Sequence, residues 1–164
     1  VAGNGSDELI DLLMRAFCEP GQDAVVVCPP TYGVYKVFAQ TNGVSVIEVP
    51  MVNFEPDVEA ITQQKAKLLF LCSPNNPTGN ALSIEQVREV CQRFNGIVVL
   101  DEAYVDFCET GSAVSLVNEQ PNLVVLQTMS KAWGMASVRL GFAIANPSIV
   151  EVLDRINPPY NVNG

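Results

Sequence analysis

The chain has 164 residues, 48% hydrophobic and 16% charged, the composition of one globular domain able to bury a sizeable core rather than of a disordered segment. Eighteen acidic residues against nine basic ones leave a formal charge of −9, which argues against nucleic acid and anionic membrane surfaces as partners. The chain contains no histidine, so Ser-His-Asp and Cys-His nucleophile systems are excluded within it, and acid–base work must fall to lysine, tyrosine, carboxylates or a cofactor.

Gly3-Asn4-Gly5-Ser6-Asp7-Glu8 precedes apolar residues at helical spacing (Leu9, Leu12, Leu13, Ala16, Phe17). Ser6 or Asn4 suits the N-cap, and Asp7 and Glu8 suit the positive end of the helix. A glycine-rich turn into a helix start also presents backbone N–H groups to a phosphate, so capping and anion binding both stay open. A dinucleotide fingerprint is excluded, because Glu8 stands where the third glycine belongs and no strand is expected before it. Pro20-Gly21 ends the helix, and 24–28 reads as a short buried strand. Pro29-Pro30-Thr31-Tyr32-Gly33 then leads into a helical pattern over 34–40, closed by Asn42 and Gly43. Tyr32 sits where a strand's carboxyl end meets a helix start, a place where ligands collect in open α/β sheets and where a tyrosine also serves plain packing.

A strand is expected over 44–49 and a short helix over 57–64. The apolar strand 68–72 runs into Ser73-Pro74-Asn75-Asn76-Pro77-Thr78-Gly79, a rigid loop with few spare backbone donors. Pro77 restricts Asn76, which leaves its amide free to meet a ligand or merely to close a turn. Ser83 and Gln86 form a capping pattern for a helix over 83–94. Asp101-Glu102-Ala103-Tyr104 stands at the end of a strand over 97–100. An aspartate there is either a partnered buried charge or a catalytic one.

The apolar run over 122–127 opens into Thr128-Met129-Ser130-Lys131, returns to an apolar strand over 138–145, and ends in an amphipathic helix over 147–156. A lysine at the mouth of a buried strand is costly unless it stays near water, finds a partner or is used covalently. Two nearby hydroxyls and Arg139 suit a phosphate anchored beside a reactive amine; a polar surface connection is the simpler alternative. Five cysteines (Cys18, Cys28, Cys72, Cys91, Cys108) form no CxxC pair, which fits buried thiols in a reducing cytoplasm better than zinc or disulfides. Alternating strands and helices, with the polar residues after strands, predict a three-layer α/β/α fold with a mostly parallel sheet and a site along its carboxyl edge.

Ser73-Pro-Asn-Asn-Pro-Thr-Gly79, Asp101-Glu-Ala-Tyr104 and Thr128-x-Ser-Lys131 with Arg139 occur in an order and spacing that resembles the large domain of pyridoxal-phosphate aminotransferases of the aspartate-aminotransferase fold. The texture of Gly5-Ser-Asp-Glu8, Pro29-Pro-Thr-Tyr-Gly33 and Asp101-Glu-Ala-Tyr-Val-Asp-Phe107 looks like the histidinol-phosphate aminotransferase family. The resemblance covers nearly the whole chain. It implies pyridoxal 5'-phosphate as cofactor, with Lys131 as the covalent attachment point and proton shuttle and Asp101 as partner of the pyridine nitrogen. Asn76 and Tyr104 are implied as donors to the ring's phenolate oxygen, and Tyr32 as a neighbour of the ring face. The backbone at Ser6 and Asp7, the hydroxyls of Thr128 and Ser130, and Arg139 are implied as the phosphate cup. The substrates implied are a small-molecule amino donor and a 2-oxo acid, histidinol phosphate and 2-oxoglutarate, with an aromatic aminotransferase or a threonine-phosphate decarboxylase as close alternatives. Residues 1–164 are then a large domain whose family relatives add an N-terminal arm, a small domain carrying the substrate-carboxylate arginine, and a second subunit. A cytoplasmic homodimer is expected for the full-length protein.

Overall fold

The structure is a computed structural model that describes residues 1–158 and 161. Among the described residues, seven strands form one sheet: β1 (Ala2–Asn4), β2 (Ala24–Val27), β3 (Ser45–Glu48), β4 (Leu68–Cys72), β5 (Ile97–Asp101), β6 (Leu123–Thr128) and β7 (Leu140–Ala145). Their spatial order is β1-β7-β6-β5-β4-β2-β3. Strands β2 to β6 are mutually parallel, β7 runs antiparallel to β6, and β1 runs antiparallel to β7. Among the described residues, five α-helices complete the layers: α1 (Gly5–Phe17), α2 (Val34–Thr41), α3 (Val58–Thr62), α4 (Ile84–Arg93) and α5 (Pro147–Ile156).

Strand alternation decides what each face of the sheet covers. Val25, Val27, Leu68, Phe70, Val99, Val124 and Leu126 pack with α1, α2 and α5 on one side. Val26, Leu69, Leu71, Val98, Leu100, Leu123 and Val125 pack with α3, α4 and a 3₁₀ helix over Ala113–Asn118 on the other. With both faces covered, the central strands are apolar at nearly every position, the pattern expected of parallel strands. Fully burying each such side chain contributes about 1.5–3 kcal/mol. The helix over Ile84–Arg93 starts as expected: Ser83 accepts from the Gln86 N–H while the Gln86 side chain accepts from the Ser83 N–H.

Three local expectations are corrected. The first helix begins at Gly5, so Ser6 lies inside its first turn; Asn4 holds the N-cap position without a side-chain cap, and the Glu8 carboxylate accepts from the Asn4 N–H at 2.5 Å. A short strand, β1, does precede that helix; three residues are too few for periodicity to reveal. The last strand starts at Leu140 because Ala136–Val138 makes a 3₁₀ turn and Arg139 adopts a left-handed backbone at φ 54°.

Candidate active site

The carboxyl ends of β4, β5 and β6 stop side by side, with Cys72 opposite Asp101 and Asp101 opposite Leu126. Where they stop, a cavity opens. Ser6, Asp7, Tyr32, Asn76, Asp101, Tyr104, Thr128, Ser130, Lys131 and Arg139 all line it, so every site residue expected from the sequence reaches one space. Cys72 and Ala103 complete its wall.

Asp101 forms the floor. It ends β5 on the same face as Val99, and its side chain is buried against the α1/α2 layer with 2% of its surface exposed. One carboxylate oxygen accepts the Tyr35 hydroxyl at 2.7 Å and the other accepts the Ala103 N–H at 3.1 Å. Burial pushes this carboxyl above its ordinary value, while the Tyr35 and Ala103 hydrogen bonds pull it back; Asp7 adds to the rise and Lys131 opposes it. A buried anion with a free approach from the cavity is suited to a cationic or protonated ring nitrogen.

At one end of the cavity the parts of an anion cup are assembled. The first turn of α1 leaves N–H groups without intrahelical partners, and the helix dipole adds positive potential there. This helix start lies against β7 so closely that a Cβ on Gly141 would come within 2.5 Å of the Ser6 nitrogen. Only glycine permits that approach. Thr128 Oγ1 donates to the Leu140 carbonyl at 3.2 Å and meets Ser130 Oγ at 3.1 Å. The guanidinium of Arg139 reaches Ser130 Oγ at 3.5 Å and the Asp7 carboxylate at 3.9 Å. That ion pair is half-exposed and is worth only roughly 0–1 kcal/mol, so Arg139 can turn to a stronger anion at little cost.

The walls between floor and cup are aromatic and amide. The Tyr32 hydroxyl donates to Asp7 at 3.3 Å, and burial followed by Asp7 pushes its phenol up to about 12. Lys131 Nζ stands 5.4 Å from the Tyr104 ring centroid. Asn76 faces the cavity from the proline-rich loop.

Residues that sequence reasoning passed over hold this frame. The buried Asn75, not Asn76, ties the loops together: it accepts from Thr31 Oγ1 at 3.0 Å and donates to the Pro30 carbonyl at 2.9 Å and to Thr78 Oγ1 at 2.7 Å. Glu102 is buried and accepts from Ser112 Oγ at 2.6 Å, the Ala113 N–H at 2.7 Å and Gln127 Nε2 at 2.9 Å. It therefore joins β5, β6 and the connection that carries Tyr104. Tyr35, fully buried, supports the floor itself. A polar residue within an apolar helical stripe was the available signal for Tyr35; the other two have no local signature.

The donor set fits pyridoxal phosphate: hydroxyls, helix N–H groups and a guanidinium for a phosphate, an anion for a ring nitrogen, and an amine for an aldehyde. Among known proteins, the chain is 54% identical to a histidinol-phosphate aminotransferase of Cytophaga hutchinsonii, over 98% of this chain and 47% of that protein. It thus spans about half the length of the curated relatives it matches. A crystal structure of histidinol-phosphate aminotransferase from Sinorhizobium meliloti in complex with pyridoxal-5'-phosphate superposes with a TM-score of 0.86 at 28% identity, covering 96% of this chain and 45% of that one. An L-threonine-O-3-phosphate decarboxylase from Porphyromonas gingivalis shares the fold with a TM-score of 0.89 at 23% identity, covering 100% of this chain and 49% of that one. The family model for aminotransferase class I and II matches along residues 1–164, and the chain belongs to that family.

Proposed function

We propose that this chain is the cofactor-binding large domain of a pyridoxal-phosphate-dependent aminotransferase that exchanges an amino group between L-histidinol phosphate and 2-oxoglutarate, acting as a cytoplasmic homodimer. The observation that carries the reading is the convergence of an amine, a buried carboxylate and an anion cup on one cavity. The names of the relatives at about half identity support histidinol phosphate as the amino donor.

Bound pyridoxal phosphate supplies an electron sink for the charge released at a substrate's α-carbon. Lys131 would hold the cofactor's aldehyde carbon through its Nζ and, once displaced by an amino substrate, carry the proton to and from the substrate α-carbon. Asp101 would keep the ring nitrogen protonated. A charge pair near 4 Å at an effective dielectric of about 20 is worth about 4 kcal/mol, roughly three pKa units. Asn76 and Tyr104 would hydrogen-bond the ring oxygen, and Tyr32 would restrict the ring's tilt. The N–H groups of Ser6 and Asp7, with Thr128, Ser130 and Arg139, would hold the phosphate and so fix the register of everything above it.

The test is pyridoxal phosphate added to the intact protein, followed by borohydride and peptide mapping, and a panel of amino donors. Labelling at Lys131 with preference for histidinol phosphate is expected. A label at Lys36, Lys65 or Lys67 refutes the site, and a preference for threonine phosphate or aromatic amino acids refutes the substrate.

A further inference from the structure

The floor of the cavity is hydrogen-bonded from a residue outside the cavity lining. Tyr35 lies on α2, one turn beyond Tyr32, and is completely buried. Its ring stacks on Phe70 with centroids 5.0 Å apart and meets Tyr32 edge-on at 5.5 Å. Phenylalanine would supply the same ring contacts, so packing alone does not account for the hydroxyl. That hydroxyl donates to Asp101 at 2.7 Å, and among the described residues it is the only side chain hydrogen-bonded to this carboxylate.

We infer that Tyr35 is a positioning residue for Asp101: its hydroxyl, donated through the core, favours the ionised form of the buried carboxylate and fixes its orientation toward the cavity. The inference rests on reading Asp101 as the partner of a ring nitrogen, but its physical content belongs to this chain alone. A buried carboxylate drifts to its neutral form unless hydrogen bonds or cations favour the charge. The groups around Asp101 divide unevenly. Asp7 of α1 opposes the charge, and Lys131 beyond β6 favours it from a distance. Cys72 of β4 is a neutral thiol, pushed up to about 12 by burial and by Asp101, and its sulfur donates to the Pro74 carbonyl instead. Tyr32 and Tyr104 stand on the cavity side. Tyr35 itself is held well above its ordinary value by burial and then by Asp101, so it remains a donor throughout the working range.

Loss of this donor has a directional consequence. The folded-state value of Asp101 is already raised, so the stability tied to its neutral form is complete in acid and is lost as pH rises through that value. Tyr35→Phe raises the value further and enlarges that loss. In the cofactor-free intact protein, the melting temperature of Tyr35→Phe should therefore fall progressively further below wild type as pH increases from about 4 to 8. In an Asp101→Asn background the gap should be independent of pH. Replacing Tyr35 with 3-fluorotyrosine, a stronger donor of nearly the same shape, should shift the pH profile the opposite way, and it decides the matter if Tyr35→Phe does not fold. Affinity for added pyridoxal phosphate should drop on the order of tenfold in Tyr35→Phe, the effect of one hydrogen bond to a charged group. A pH-independent gap with Asp101 present, or an unshifted profile with 3-fluorotyrosine, overturns the inference. Failure of the unaltered protein to bind pyridoxal phosphate overturns the functional reading instead, and the stability measurements still judge Tyr35.

Discussion

Asp101 and Lys131 follow neighbouring strands, yet their surroundings could hardly differ more. Asp101 is 2% exposed with both carboxylate oxygens bonded, while Lys131 opens an exposed run through Val138 that includes Trp133 and Met135. The contrast follows from what each group has to do. A charge that polarises a ring must be oriented before the ring arrives, and burial makes its interaction stronger. An amine that bonds to an incoming aldehyde must be reached from solvent and must move. Rigidity therefore concentrates in the floor, and access concentrates in the rim.

The largest expected effect comes from the rim. Lys131→Ala should remove the borohydride-fixed label and lower turnover of the intact protein by at least the roughly 10²–10⁴-fold of a positioned acid–base group, with little change in melting temperature because the position is exposed. Destabilisation comparable to a core substitution would show that Lys131 also supports the fold.

Asp101→Asn strikes the floor. Turnover should fall by roughly three orders of magnitude, the equivalent of the lost pair at about 4 kcal/mol. The same change should flatten the pH dependence of stability in cofactor-free protein. Because the carboxyl's value is raised by burial, wild type should be most stable relative to Asp101→Asn in acid and lose that advantage as pH climbs above about 3.8. Denaturation midpoints of both proteins across pH check the sign; parallel curves would mean that burial does not raise the carboxyl's value.

Glu102→Ala separates the floor from the frame around it. Removing this carboxylate leaves the buried Ala113 N–H and the half-buried Ser112 hydroxyl without their acceptor, and leaves Gln127 Nε2 with Ser112 Oγ alone, at about 1–3 kcal/mol for each unsatisfied group. Chemical denaturation should register a loss of several kcal/mol, and pyridoxal phosphate binding should weaken as the Tyr104 connection loosens. A loss below about 1 kcal/mol would show that water replaces the acceptor.

The smallest effect lies farthest from the site. Ser83→Ala removes the cap of α4, and about 1 kcal/mol of stability should go with it, leaving cofactor affinity unchanged. A change in affinity would mean that the α4 layer is coupled to the cavity.

Much of this molecule was readable along the chain. The strands Leu68–Cys72 and Ile97–Asp101, the capped helix over Ile84–Arg93 and the helix Pro147–Ile156 announce themselves through runs, periodicity and caps, all of which are local properties. Many of the residues lining the cavity were also readable, because Asn76, Asp101, Tyr104, Thr128, Ser130 and Lys131 sit at the carboxyl end of an apolar strand or in the loop that follows it. What the sequence by itself determined is therefore the order of elements and the set of polar residues brought to the carboxyl edge. The tertiary structure alone decided that β7 returns antiparallel and meets β1, which lays the start of α1 beside Thr128 and completes the anion cup. It alone assigned Tyr35 to Asp101 across 66 positions and Glu102 to Gln127 across 25. Hydrogen bonds between residues so far apart leave no periodicity in the chain; they exist only where packing brings a buried donor and acceptor within about 3 Å of each other.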